Sequence, residues 1–335
     1  MRYYDLKLTP PSGTKAKARH WTSYPKGLSG PFDPGALNID FDILVYAEHA
    51  PAENSSITIE GVALQDLLQA NQFGSQKGPF WTIEFSGGMG PGLPLNNPKQ
   101  AGLILTGNIF QSFGNWQGTE MTLDLVFNPG DPHSIKNPGN VVLNWKKGTQ
   151  LSQALANTFS TAYPGIKQQI DINSNLTLNH DEVGYYYDLT GLAKHIMGMT
   201  HSWGGNTSYP GVSIAMQKGA IQANDGSKTP ATVQLSFLDF VGQPTWIKPN
   251  QILVKLVMRA DLQLGSVIKF PAGMQNMPGF VQTTQASMPS SIKYKSAFQG
   301  QFNVIEIRHV GNFRTTDAAQ WVTMAICVPE AAKSS

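Results

Sequence analysis

Long stretches of this chain alternate apolar and polar residues with a period of two, which commits them to strands with one buried face. Leu37, Ile39, Phe41, Ile43 and Val45 fall on one side of such a strand, and Asn38, Asp40 and Asp42 on the other. The pattern returns at Trp81, Ile83 and Phe85, and again at Met121, Leu123, Leu125 and Phe127. Clusters such as "GGMGPGLPLNNP" (Gly87–Pro98) separate these runs and predict loops between antiparallel strands. Residues 1–130 therefore read as a first antiparallel β-barrel, interrupted by one short helix around Val62–Ala70.

The period changes after "NPGDPHSIKNPGN". Leu151, Ala154, Leu155, Phe159 and Ala162 share a helical face that Tyr163-Pro164-Gly165 terminates. A second helix follows Asp188, a suitable N-cap, with Leu189, Leu192, Ala193, Ile196 and Met199 on one side. The segment "QQIDINSNLTL" between them predicts a strand, so residues 131–212 read as a small α/β subdomain. Alternation resumes with Val233, Leu235 and Phe237, then Ile252, Val254, Leu256 and Met258, and the chain closes on "IEIRHVGNFR" and "QWVTMAICVP". Residues 213–335 read as a second β-barrel. The expected fold is mainly β, two related antiparallel β-barrel domains flanking an α/β subdomain. Their relation rests on Gly107–Pro129 and Phe302–Pro329: each is a strand running into a Gly-Asn-aromatic turn (114–116 and 311–313), a polar loop, and an alternating strand ending in proline.

Candidate reactive groups do not converge. In "IEIRHVGNFR", strand period puts Ile305, Ile307 and His309 on one face and Glu306 and Arg308 on the other, so His309 reads as a partly buried strand-end histidine and Glu306–Arg308 as a solvent or interface pair. The polar residues of this hairpin are expected to make subunit contacts. The "NHDE" run (Asn179–Glu182) lacks metal partners nearby in sequence, and His195 and His201 are six residues apart, on different sides of a helix. "SGGMGPG" lacks the Lys-Ser/Thr of a phosphate loop. Cys327 is the single cysteine, which removes internal disulfides and cysteine-rich zinc modules. No catalytic, cofactor-binding or metal residue is assigned, and no enzymatic activity is expected. Trp116, Trp145, Trp203, Tyr185, Tyr186 and Tyr187 read as core or interface residues.

Charge narrows the partners. A formal net charge of +2 provides no basic surface for nucleic acid or membrane. Only 14% of residues are charged, against about 25% in ordinary soluble domains, which fits a surface hidden against other subunits. The opening "MRYYDLKLTP" alternates like a strand and carries no apolar run of signal-peptide length, so assembly in a cytoplasm is expected.

Several stretches together resemble the baseplate hub proteins of contractile-tailed bacteriophages. They are "DPGALNIDFDI" (Asp33–Ile43), "GLPLNNPKQAGLILTGNIFQSFGNWQGTEMTLDLV" (Gly92–Val126), "WKKGTQLSQAL" (Trp145–Leu155), "FVGQPTWIKPNQILVKLVMRADLQLGSVIKFP" (Phe240–Pro271) and "FQGQFNVIEIRHVGNFRTTDAAQWVT" (Phe298–Thr323). The resemblance implies two related barrels per chain and a homotrimeric, pseudo-sixfold ring in the virion tail baseplate, with the first barrel on the tube side. It implies as partners the hexameric tail tube or its initiator, the trimeric cell-puncturing spike and other baseplate proteins, with transient passage of tape measure and DNA. It carries no catalytic residues or cofactors. The competing expectation is a carbohydrate-binding or carbohydrate-active β protein, based on the aromatic residues and scattered carboxylates.

Overall fold

The computed structural model describes residues 1–46, 55–75, 79–91, 100–129, 139–203, 209, 211–227, 232–248, 250–275, 280–281, 298 and 300–329. The sequence-predicted loop beyond residue 91 and the junction at 130–138 lie outside them, as does the side chain of Trp203.

Seven strands form in the first part: β1 (Arg2–Thr9), β2 (Arg19–Thr22), β3 (Asn38–Tyr46), β4 (Ser55–Glu60), β5 (Trp81–Met89), β6 (Gly102–Gln117) and β7 (Glu120–Asn128). A short helix α1 (Leu64–Leu68) and a 3-10 turn (Ala70–Gln72) lie between β4 and β5, where the sequence predicts one helix. The middle part contains β8 (Val141–Trp145), α2 (Leu151–Ala162), β9 (Lys167–Asp171), β10 (Glu182–Tyr186), α3 (Leu189–Trp203), β11 (Ser213–Gln217) and β12 (Ala220–Asn224). The last part contributes β13 (Val233–Gln234), β14 (Thr245–Lys248), β15 (Gln251–Val257), β16 (Val267–Lys269), α4 (Ala272–Gln275), β17 (Phe280–Val281), β18 (Gln301–Asn312) and β19 (Trp321–Pro329).

Alternation does what it predicts in β3, where Ile39, Phe41, Ile43 and Val45 are buried while Asp40 and Asp42 face outward. Leu123, Leu125 and Phe127 in β7 are likewise fully buried, each worth about 1.5–3 kcal/mol relative to exposure. Two predicted features differ. Gly87 and Gly88 are not in a loop but extend β5 against Tyr4 and Tyr3 of β1. A Cβ at Gly87 would lie 2.7 Å from Ile104 Cδ1, so glycine fits where the strands crowd. The alternation predicted through Phe237 stops at Gln234, because Ser236 and Asp239 form a capping box that turns the chain and leaves Phe237 exposed.

Among the described residues, fourteen strands from the first and last parts form one sheet. Within it the same five-strand motif occurs twice. In the first copy β3, β4, β7, β6 and β5 are neighbours in that order; in the second, β14, β15, β19, β18 and β16 are. Every neighbouring pair is antiparallel in both, and the chain visits the strands in the same order. The long hairpins β6–β7 and β18–β19 both carry a bulge, at Phe110 and at Ile305. Each bulge lies beside a paired residue two positions before a terminal proline: Phe127 before Pro129 and Cys327 before Pro329. Bulges fix register. Counted from them, Gly114 occupies the place of His309 and Trp116 that of Gly311. The two Gly-Asn-aromatic segments are therefore offset by two positions, and Gly114, Asn115, Gly311 and Asn312 are strand residues rather than turn residues.

The α/β part has its own core, running from Val141 through Trp145, Leu155, Phe159, Leu192 and Ile196 to Ala223. It takes in β11 and β12, past residue 212, with β12 parallel to β9. Asp188 caps α3 as the sequence predicts, accepting from the Gly191 N–H at 2.8 Å. Tyr163 closes α2 through its N–H to Phe159 O at 2.8 Å, and Gly165 turns the chain with φ +84°. The β parts share a second core, in which Phe41 packs on Phe85 and Trp321.

Candidate functional site: strand junction and free edge

The two motifs meet edge to edge. On one side β18 pairs with β19 throughout; on the other it changes partner, from β16 at Gln301–Asn303 to β3 at Ile307–Asn312. The polar residues of "IEIRHVGNFR" are used within the chain at this junction. Arg308 makes a bidentate contact with Asp42 of β3, and the hydrogen bonds it donates to that carboxylate, with the charges of Asp42 and Glu306, hold its guanidinium above its usual range. Asn312 donates to Asp40 at 2.7 Å, and Arg314 donates to the carbonyls of Pro34 and Ala36. Arg2 closes the end of the joint, donating to the carbonyls of Asn312 at 2.5 Å and Asp317 at 2.6 Å. Gly311 lies under the aromatic cluster: a Cβ there would be 2.3 Å from Phe41 Cζ and 2.9 Å from Trp321 Cε3.

A buried polar network ties the three parts of the chain together. Arg259, 2% exposed, grips Asp261 through two hydrogen bonds of 2.7 and 2.6 Å and lies 3.8 Å from Asp239. Asp239 accepts from Gln100 at 2.8 Å and from the Ser236 N–H and hydroxyl. Lys218, at the β11–β12 turn, donates to the Ala260 carbonyl, and its ammonium is lowered by burial, partly offset by Asp261. His309 is fully inside, 2.9 Å from the Thr323 hydroxyl, which also donates to Arg259 O. Burial, then the Lys218 charge, pushes His309 down to about 3, so it is neutral and structural.

The other sequence-selected residues separate, except around Glu182. Asp181 of "NHDE" binds the Lys146 ammonium at 2.8 Å and the Lys147 N–H, which hold its carboxyl below the usual range. Glu182 lies 3.2 Å from His195 and 3.8 Å from His180, a convergence that sequence spacing does not reveal; His201 lies elsewhere on α3. No cluster of three metal-ligating side chains occurs among the described residues. Trp145 is buried and donates to Thr149 O, and Tyr186 packs on the α/β core. Tyr185 and Tyr187 are exposed instead. An open cleft of about 480 Å³ lies beside Arg19, where the Asp66 carboxylate is engaged by the Arg19 guanidinium at 2.5 Å.

Beyond Ile109, where β5 ends its pairing, β6 continues to Gln117 with β7 on one side only; among the described residues no strand takes the other edge. Phe113 and Trp116 are exposed along this edge, and Leu64 and Leu68 of the adjacent α1 are exposed beside it.

Comparison with solved structures identifies the architecture. A tail protein from Neisseria meningitidis MC58 superposes with a TM-score of 0.50 at 10% identity, over 97% of this chain and 96% of that one. The chain has a tail-protein fold. Two further structures are similar at slightly lower scores. One is the E. coli c3393 protein, a component of the type VI secretion system with structural similarity to T4 bacteriophage tail proteins gp27 and gp5 (TM-score 0.49, 10% identity, 92% of this chain and 76% of that one). The other is the 43 kDa tail protein of prophage MuSo2 from Shewanella oneidensis (TM-score 0.49, 8% identity, 97% of each chain). No protein-family model and no curated protein sequence matches the chain.

Proposed function

We propose that this chain is a structural hub of a tail baseplate: three copies form a ring of six similar units that joins a sixfold tail tube to a threefold spike. The observation that carries the reading is the five-strand motif present twice and joined edge to edge within one chain. Three such chains present six nearly equivalent units to one partner and true threefold symmetry to the other, a match that a chain with one motif does not provide. The sparse charge fits surfaces that other subunits cover. In this reading the work is mechanical: the ring holds and aligns tube and spike. Its lumen passes the tape measure and then DNA, for which a wall without basic side chains avoids phosphate contacts that would retard the strand. In this reading the hub has no catalytic part. Light scattering on chain and spike co-purified together tests it: a complex containing three hub chains is expected, and a chain that never joins the spike overturns it.

The solvent face of β10 supports a second, carbohydrate-binding reading, since Val183, Tyr185 and Tyr187 all project outward there. Retention on peptidoglycan or host polysaccharide that is lost in Tyr185→Ala would favour it over the hub.

A further inference from the structure

We propose that the free outer edge of β6, from Phe113 to Gln117, receives the β14 strand of a second copy of this chain. This rests on the hub reading and specifies which surfaces join its subunits. The internal junction supplies the argument. β6 is the counterpart of β18, and β14 is the counterpart of β3, fixed by the matched bulges and by the shared pairing order. On β18 this edge is filled by β3 of the other motif. On β6 no strand among the described residues takes the same edge beyond Ile109, and the second motif of another copy completes it by repeating the contact already made inside the chain.

The composition of the edge fits pairing rather than exposure. Gln111 to Gln117 contains no charge and no proline, two of the devices that protect a strand edge, and it displays Phe113 at 48% and Trp116 at 61% exposure. On the receiving side, the turn ahead of β14 displays Phe237 and Leu238 at 66% and 55%. Transferring the register of Val310 opposite Asp42 places Asn115 opposite Thr245 of the second copy, and that of Arg308 opposite Leu44 places Phe113 opposite Ile247. Phe113 thus takes the place of Arg308, with Ile247 in that of Leu44 and Thr245 in that of Asp42, so an uncharged contact replaces the exposed charge pair of the internal joint. Among the described residues, the outer edge of β14 carries the two-residue β17 at Thr245 and Trp246, and the incoming β6 displaces it. The contact is head to tail, using different surfaces on each partner, as a ring requires.

Cysteine pairing tests the register. The single native thiol, Cys327, is buried and does not compete. Under mild oxidation, with and without spike, Asn115→Cys/Thr245→Cys should give covalently linked oligomers, and each single variant should not. Val310→Cys/Asp42→Cys should give the equivalent bond inside one chain. Phe113→Lys, on an exposed position, should weaken self-association at least tenfold and leave the monomer folded by circular dichroism. A spike-bound trimer that never crosslinks through 115 and 245 and ignores Phe113→Lys overturns this interface and leaves the hub reading standing. A chain that stays monomeric in every condition overturns both.

Discussion

Gly311→Ala tests the packing that joins the two motifs. The new methyl would stand 2.3 Å from Phe41 Cζ and 2.5 Å from Phe41 Cε1, and the Phe41 ring is fixed by Phe85 at 4.7 Å and Trp321 at 5.3 Å between centroids. Relieving that overlap moves a fully packed ring, and overpacking of this kind costs about 1–3 kcal/mol. Replacing a strand glycine by alanine returns about 0.5–1 kcal/mol of backbone entropy. Taking the middle of both ranges, the net expectation is a loss of about 1 kcal/mol in urea unfolding followed by tryptophan fluorescence. Trp321 reports the β core and Trp145 the α/β core, so two transitions must be fitted separately if they part. Gly102→Ala is the control: its Cβ would meet Ala260 Cβ at an ordinary 3.8 Å, and stability should hold or rise slightly. Phe41→Leu removes the clashing ring atoms, so the double variant should lose less than the sum of the two single losses. A Gly311→Ala protein as stable as the parent, or strict additivity with Phe41→Leu, would refute the packing argument.

Other expectations follow from the polar groups. Because the folded His309 titrates near 3 and the unfolded one near 6.5, the unfolded chain binds the extra proton between these values; this contribution is complete above pH 6.5 and is lost as pH falls toward 3. His309→Gln should therefore flatten the acid limb of a stability–pH profile by up to about 1.4 kcal/mol per pH unit. Arg308→Ala breaks a half-exposed pair and should cost under about 1 kcal/mol by urea titration. Arg259→Ala removes the bidentate partner of half-buried Asp261 and the neighbouring charge of buried Asp239, and should cost about 3 kcal/mol. Burial raises the Cys327 thiol far above its usual range, so maleimide should label it only at the rate of β-core opening.

Local order was legible wherever one face of an element meets the core. The inward residues of β3, β7 and β15 and the apolar faces of α2 and α3 follow directly from periodicity, and Asp188 caps where its side chain predicts. Pairing across the chain was not legible in the same way. Asp42 meets Arg308 although 266 residues separate them, and nothing local in either stretch encodes that partner. The glycines misled for a physical reason: Gly87, Gly114 and Gly311 read as turn formers, yet each is small because a neighbour presses on the strand. The free edge of β6 was invisible because an unpaired strand has the same alternation as a paired one.

The most direct test of the proposed ring is the mass and symmetry of the chain co-purified with a cognate tail spike, measured by light scattering and by electron microscopy of the same particles. The account predicts three 36.4 kDa chains forming a ring with six similar lobes around an open centre. A single copy on the spike, or a particle with no such ring, would contradict it.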